Sequence, residues 1–197
     1  MSSTKPYHHG DLAESLIQAA AQLLSDKGPA QISLREIARL AGVSHGAPAH
    51  HFKDKTGLLT AVAVRGHEQL AQSLRNSQIS KPVVSERLLA AGTAYVQFAV
   101  AHPGYFSVMF DTGLIEASPT YVNARAATQQ VLTECLEELA GHGASAKNIV
   151  GMQTALWSQV HGFSVLWLAG NFGATDNDVA LNELLAEMLR SIEPRIN

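Results

Sequence analysis

The chain has a single cysteine, Cys135, in 197 residues, which excludes an intrachain disulfide framework and a cysteine-rich zinc site. That fits a reducing cytoplasm. Long apolar runs are missing too. The longest, around 156–169, is interrupted by Ser158, Gln159, His161 and Ser164, so it reads as a buried or interface helix and not as a membrane span. No charged segment followed by an apolar run opens the chain, so no secretory signal is expected and the cytoplasm is the expected compartment. A large basic excess is also absent. The net charge is −3 at pH 7, which taken alone argues against a nucleic-acid binder.

The distribution of charge says more than its sum. Through Lys55 there are six Lys and Arg against five Asp and Glu, and five of the nine histidines fall there. Beyond it stand eight basic and twelve acidic side chains. A slightly positive head on a negative body is compatible with a local anionic partner. With 46% hydrophobic and 16% charged residues, the chain has the makings of a folded core.

Helical periodicity runs almost throughout, and no alternating strand pattern stands out. Leu12, Leu16, Ile17, Ala20, Leu23 and Leu24 form one stripe over 11–27, ended by Gly28-Pro29. Ser33 is placed to cap the next helix, with Glu36 completing a capping box. Further helices are expected at 55–77, 85–102, 104–110, 119–140, 145–170 and 176–192, with breaks at 102–104, 118–119, 141–143 and 170–173. Residues through Tyr7 read as an arm.

One segment has almost no core-building side chains: V-S-H-G-A-P-A-H-H-F, residues 43–52. Ser44 is expected to cap a short helix over 45–51, with Pro48 tolerated in its first turn. Joined to the preceding helix by Ala41-Gly42-Val43-Ser44, it makes a helix-turn-helix. The second helix of such a unit leaves one face bare for the DNA major groove. Gly46, Ala47 and Ala49 would then allow close backbone approach, and His45, His50 and His51 would meet phosphates or base edges. A metal site is not expected, because no pair of these histidines has the i,i+4 spacing of a helical metal site.

Residues 7–60, from Y-H-H-G-D-L through S-L-R-E-I-A-R-L-A-G-V-S-H-G-A-P-A-H-H-F-K-D-K-T-G-L-L, resemble the DNA-binding domain of the TetR family of transcriptional regulators. The resemblance implies an all-α chain with a helix-turn-helix domain over 1–55 and an effector-binding and dimerisation domain over 56–197. It implies that Arg35, His45, Gly46, Ala47 and His50 read bases. It implies that Ser33, Ser44, His51 and Lys55 grip phosphates, Arg35 being able to do either. One departure stands out. Ala49 occupies a position where the family commonly has a phosphate-clamping tyrosine, and His50 and His51 are the side chains placed to compensate.

The remainder suggests a sensor and a dimer. Ile149, Met152, Leu156, Val160, Phe163 and Trp167 recur at helical spacing, as do Leu181, Leu184, Leu185, Met188, Leu189 and Ile192. Two such helices from each protomer would build a four-helix homodimer interface, as in the family. Packing inside one protomer is the alternative. The runs A-H-P-G-Y-F-S-V-M-F and A-L-W-S-Q-V-H-G are similar to the subgroup whose ligand domain carries a Trp-His-Gly signature. His102, Tyr105, Phe106, Met109, Tyr121, Trp157 and His161 are therefore candidates for lining a chamber that takes a small, largely apolar effector, although plain core is the other reading of such residues.

No nucleophile elbow, phosphate-cradling glycine loop or paired metal carboxylates appear, so no enzymatic activity and no cofactor are expected. The function expected is that of a homodimeric regulator, a repressor by family habit, that binds a pseudo-palindromic operator and is released by its effector. A partner-binding protein that no longer reads DNA is the rival that Ala49 keeps open.

Overall fold

The computed structural model describes residues 9–141, 145–172 and 178–192, and every regular element among them is an α-helix. In chain order these are α1 (His9–Lys27), α2 (Leu34–Leu40), α3 (Ala47–Phe52), α4 (Lys55–Ser77), α5 (Val84–Ala101), α6 (Pro103–Met109), α7 (Pro119–Ala140), α8 (Ala146–Leu168) and α9 (Asp178–Ile192). Most ends lie within two residues of those the periodicity predicts. The arm through Tyr7 and the breaks at residues 142–143 and 173 lie outside the described residues.

The helices gather into two compact units. One takes the chain through His67 together with His102–Ala124; the other takes Glu68–Ala101 and the chain from Arg125 onward. Helices α4 and α7 each contribute to both.

The first unit has its core on Leu16, Ala20 and Leu24 of α1, Ile37 and Ala38 of α2, Leu58 and Val62 of α4, and Val108 and Met109 of α6. Helix α1 lies so close to α6 that a β-carbon on Gly104 would overlap the Ala21 carbonyl. Arg65 of α4 donates through Nε at 3.1 Å and Nη2 at 2.5 Å to Oε2 of Glu14 on α1. The carbonyl of Met109, at the end of α6, lies 3.2 Å from Nε2 of the fully buried His67 and accepts from the Tyr121 hydroxyl at 3.0 Å. These bonds fasten the end of α6 to α4 and to the start of α7.

In the second unit α5 packs on α8 and α9, with Leu189 and Val160 closing over Gly92. Here the seam expected at a dimer interface needs correction. Ile149, Val160 and Phe163 on α8 and Leu181, Leu185 and Leu189 on α9 are all less than a tenth exposed, packed within their own protomer. The rest of the seam is open: Leu184 is exposed and Met152, Leu156, Trp167 and Met188 are half-buried, while Val150, Val165, Leu166 and Leu168 on α8 and Val179 on α9 stand outward beside it. Both helices are apolar on more than one face, and the bulkiest stripe fills the protomer's own core first. No helix among the described residues is long and apolar enough to cross a membrane.

Candidate nucleic-acid interface

The turn between α2 and α3 follows from Gly42. Its φ of 68° is the left-handed conformation that glycine adopts without cost, and it closes α2 with a Schellman motif. The Val43 N–H donates to Ala38 O at 3.0 Å and the Gly42 N–H to Arg39 O at 3.2 Å. At the other end of α2, Ser33 caps as expected, its hydroxyl accepting from the Glu36 N–H at 3.3 Å. The Glu36 carboxylate takes Lys27 at 2.5 Å, tying α2 to α1.

Helix α3 departs from expectation in two ways. It starts at Ala47, with Gly46 as N-cap and no side-chain cap bond, so Ser44 is not its cap. Ser44 lies one turn ahead and is exposed, its carbonyl accepting from the Ala47 N–H at 3.0 Å. A proline at the second helical position already lacks the N–H that a side-chain cap would serve. Second, Ala47 is only 9% exposed and Pro48 fully buried, so the Ala47 methyl faces the core and not the groove side. His45, Gly46, Ala49 and His50 are exposed and His51 is half-buried. Arg35, Ser33 and Arg39 are exposed on α2 and its cap. Among the described residues, none covers the outward surface of α3.

Lys55, expected to grip a phosphate, has two of its three ammonium N–H donors engaged inside the protein. Its ammonium donates to the carbonyls of Pro29 at 2.7 Å and Ile32 at 2.8 Å, in the α1–α2 connection. The α3–α4 elbow beside it is tight. Lys53 holds φ 68° and ψ −57°, and the Asp54 N–H donates back to Phe52 O at 2.8 Å, a γ-turn of the strained hand. The Asp54 carboxylate then accepts from the Gly57 N–H at 2.9 Å and caps α4. An open groove of about 600 Å³ runs past this elbow, lined by His50, His51, Lys53, Gly57, Glu116 and Ser118 among others.

The candidate ligand residues divide between the units. Tyr105, Phe106, Met109 and Tyr121 are buried in the first, where Tyr121 spends its hydroxyl on Met109 as above; His102 is exposed at the N-cap of α6, its ring edge-on to Tyr105. Trp157 and His161 belong to the second, where they meet a residue that sequence reasoning missed. Tyr95 of α5, 5% exposed, accepts from the Trp157 Nε1–H at 3.2 Å, and its hydroxyl lies 2.9 Å from His161 Nδ1. An indole N–H only donates, so the tyrosine oxygen accepts there, while the bond to Nδ1 runs in the direction that the imidazole tautomer sets. Burial lowers the His161 pKa, which favours the neutral ring, and burial raises that of Tyr95, which keeps the phenol protonated. A tyrosine set among small residues, A-A-G-T-A-Y-V, was the available signal.

Among the described residues no group of His, Cys, Asp and Glu is arranged to hold a metal ion.

A short α3 left bare beside a Gly42 turn defines the class: a helix-turn-helix DNA-binding regulator. Residues 16–62 match the family of bacterial regulatory proteins named tetR, and residues 88–192 match the tetracyclin repressor-like C-terminal domain. The second match covers more than half the chain, and the chain belongs to the TetR family of transcriptional regulators. It is 23% identical over 182 residues to an uncharacterized HTH-type transcriptional regulator of Mycobacterium tuberculosis, covering 92% of this chain and 82% of the relative. To the regulator BetI of Pseudomonas fluorescens it is 46% identical over 48 residues, 24% of each chain. A solved structure of a Rhodococcus sp. RHA1 protein of unknown function matches with a TM-score of 0.76 and 28% identity, over 95% of this chain and 98% of that one. Regulators of this family bind DNA operators and small-molecule effectors as dimers.

Proposed function

We propose that the chain is a repressor that binds a pseudo-palindromic operator as a homodimer and lets go when a small, largely apolar effector binds. Residues 1–55 would form the reading domain and 56–197 the effector-binding and dimerisation domain, of the Trp-His-Gly subgroup. The carrying observation is the outer surface of α3, uncovered among the described residues, with His50 exposed on it, His45 and Gly46 exposed just ahead of it and Arg35 exposed on α2. Arg35 would read a base edge or hold a phosphate, and Ser33, Ser44 and His51 would hold phosphates. Ala47 would serve by its backbone and small size, since its methyl faces inward.

The dimer would form through α8 and α9, on the outward Val150, Val165, Leu166 and Leu184. Dimeric binding gives two half-sites one helical turn or a multiple apart, so a small change in the spacing of two α3 helices suffices for release. The hydrogen-bonded set of Tyr95, Trp157 and His161 is the polar feature best suited to orient an effector in the second unit. His102, Tyr105, Phe106, Met109 and Tyr121 are better suited to supporting the fold of the first unit, four of them being buried there.

Selection of bound sequences from a random DNA pool tests the reading. The expected outcome is an inverted repeat bound with steep salt dependence, released by one component of a metabolite mixture. Recovery of no consensus would remove the DNA-reading proposal. Recovery of a single unrepeated half-site would remove the dimer.

A further inference from the structure

A lysine in the first turn of a helix runs against the helix dipole, whose N-terminal end is positive. Lys55 stands there on α4, and its charge is met by two carbonyl oxygens, of Pro29 and Ile32. Those carbonyls belong to the connection between α1 and α2. Ile32 itself is buried, and the next residue is Ser33, the N-cap of α2, two positions before Arg35. On its other side Lys55 follows the tight elbow of Lys53 and Asp54 that ends α3. One ammonium therefore ties the connection that leads into α2 to the elbow that ends α3.

We propose that Lys55 is a positioning residue for operator reading: it sets the seating of α2 and α3 on α4 and does not act as a phosphate anchor. The inference rests on the DNA-reading proposal above and assigns that reading a specific dependence. Two N–H donors of the ammonium are used inside the protein at 2.7 and 2.8 Å, the short lengths of charge-assisted bonds. A guanidinium keeps the charge but is a planar fork that does not replace a point donor aimed at two carbonyls. Removing the tether leaves the phosphate-gripping groups in place and lets their register drift. Specific binding then suffers while non-specific binding does not.

The test uses the full-length protein, its selected operator and an unrelated duplex of equal length, with Lys55→Met and Lys55→Arg beside the wild type. Both variants are expected to lose operator affinity by about ten-fold, the cost of one displaced base contact. Affinity for the unrelated duplex, and the slope of log affinity against log salt, stay at the wild-type values. A phosphate anchor predicts the opposite. Lys55→Arg would then bind as wild type, and Lys55→Met would lose affinity on both duplexes with the slope smaller by about 0.9 for each phosphate released. That result overturns the inference, as do variants that keep full operator affinity and differ only in melting temperature. Thermal melts keep every titration below the unfolding range. Where Lys55→Met is unfolded, the ratio of specific to non-specific affinity and the slope of Lys55→Arg decide. A wild type that selects no sequence overturns the DNA-reading proposal and this inference with it. Wild-type selection beside unaltered variants overturns this inference alone.

Discussion

The Tyr95 hydroxyl lies 2.9 Å from Nδ1 of His161, and the indole of Trp157 donates to the same hydroxyl from 3.2 Å. A neutral imidazole leaves one ring nitrogen able to accept, which a protonated ring does not. Burial lowers the His161 pKa below its ordinary 6.5, so the unfolded chain takes up a proton more readily than the folded one. Stability from this source is therefore fully present above pH 6.5 and is lost as the pH falls from there through the lowered folded value. Thermal melts across that range are expected to show a larger drop for the wild type than for His161→Gln. Parallel curves for the two proteins would mean that His161 keeps its ordinary pKa.

At the α3–α4 elbow, a β-carbon on Gly57 would overlap the carbonyl of Phe52, which is backbone and cannot swing aside. Gly57→Ala is expected to cost about 1–3 kcal/mol, the range for overpacking a closed site. A lowered melting temperature with weakened operator binding is the outcome to look for. An unchanged melt would mean the elbow is looser than its hydrogen bonds indicate.

Gly46 offers the opposite case. Its φ of −81° and ψ of −17° are helical, and no atom lies within 4 Å of where a β-carbon would stand. Gly46→Ala is expected to leave the stability of the free protein nearly unchanged, the unfolded chain's lost freedom, about 0.4–1 kcal/mol, being offset by alanine's poorer fit at an N-cap. On the proposed reading it also weakens operator binding, because the added methyl stands where the backbone approaches the groove floor. Affinity falling while the melt holds is the signature to seek by paired melts and DNA titrations.

Much of this was legible beforehand. The helical stripes, the Gly42 turn and the Ser33 cap are local, and local chemistry decided them. What escaped depended on partners distant in the chain. The sequence alone could not indicate that Lys55 meets carbonyls more than twenty positions earlier, or that Tyr95 meets α8. Helix α3 started later than expected because Pro48, buried, fixes the first turn more firmly than Ser44 could cap it. Periodicity found apolar stripes on α8 and α9 correctly but could not tell inward from outward, since both helices are apolar on adjacent faces.

That ambiguity yields a sharp test of the dimer. Val165 is 46% and Leu166 47% exposed, while Val160 on the same helix is 8% exposed. A carboxylate placed at Leu166 is solvated in the free protomer, so it leaves the fold intact, whereas at an isologous interface it must be desolvated against the apolar face of the second copy. Leu166→Glu is therefore expected to give a folded monomer by sedimentation equilibrium, with a melt close to the wild type's and operator affinity reduced by the loss of one half-site's contribution. Val160→Glu, by contrast, buries a charge in the protomer's own core and is expected to unfold it. A Leu166→Glu protein that remains a full-affinity dimer would move the interface off this face of α8.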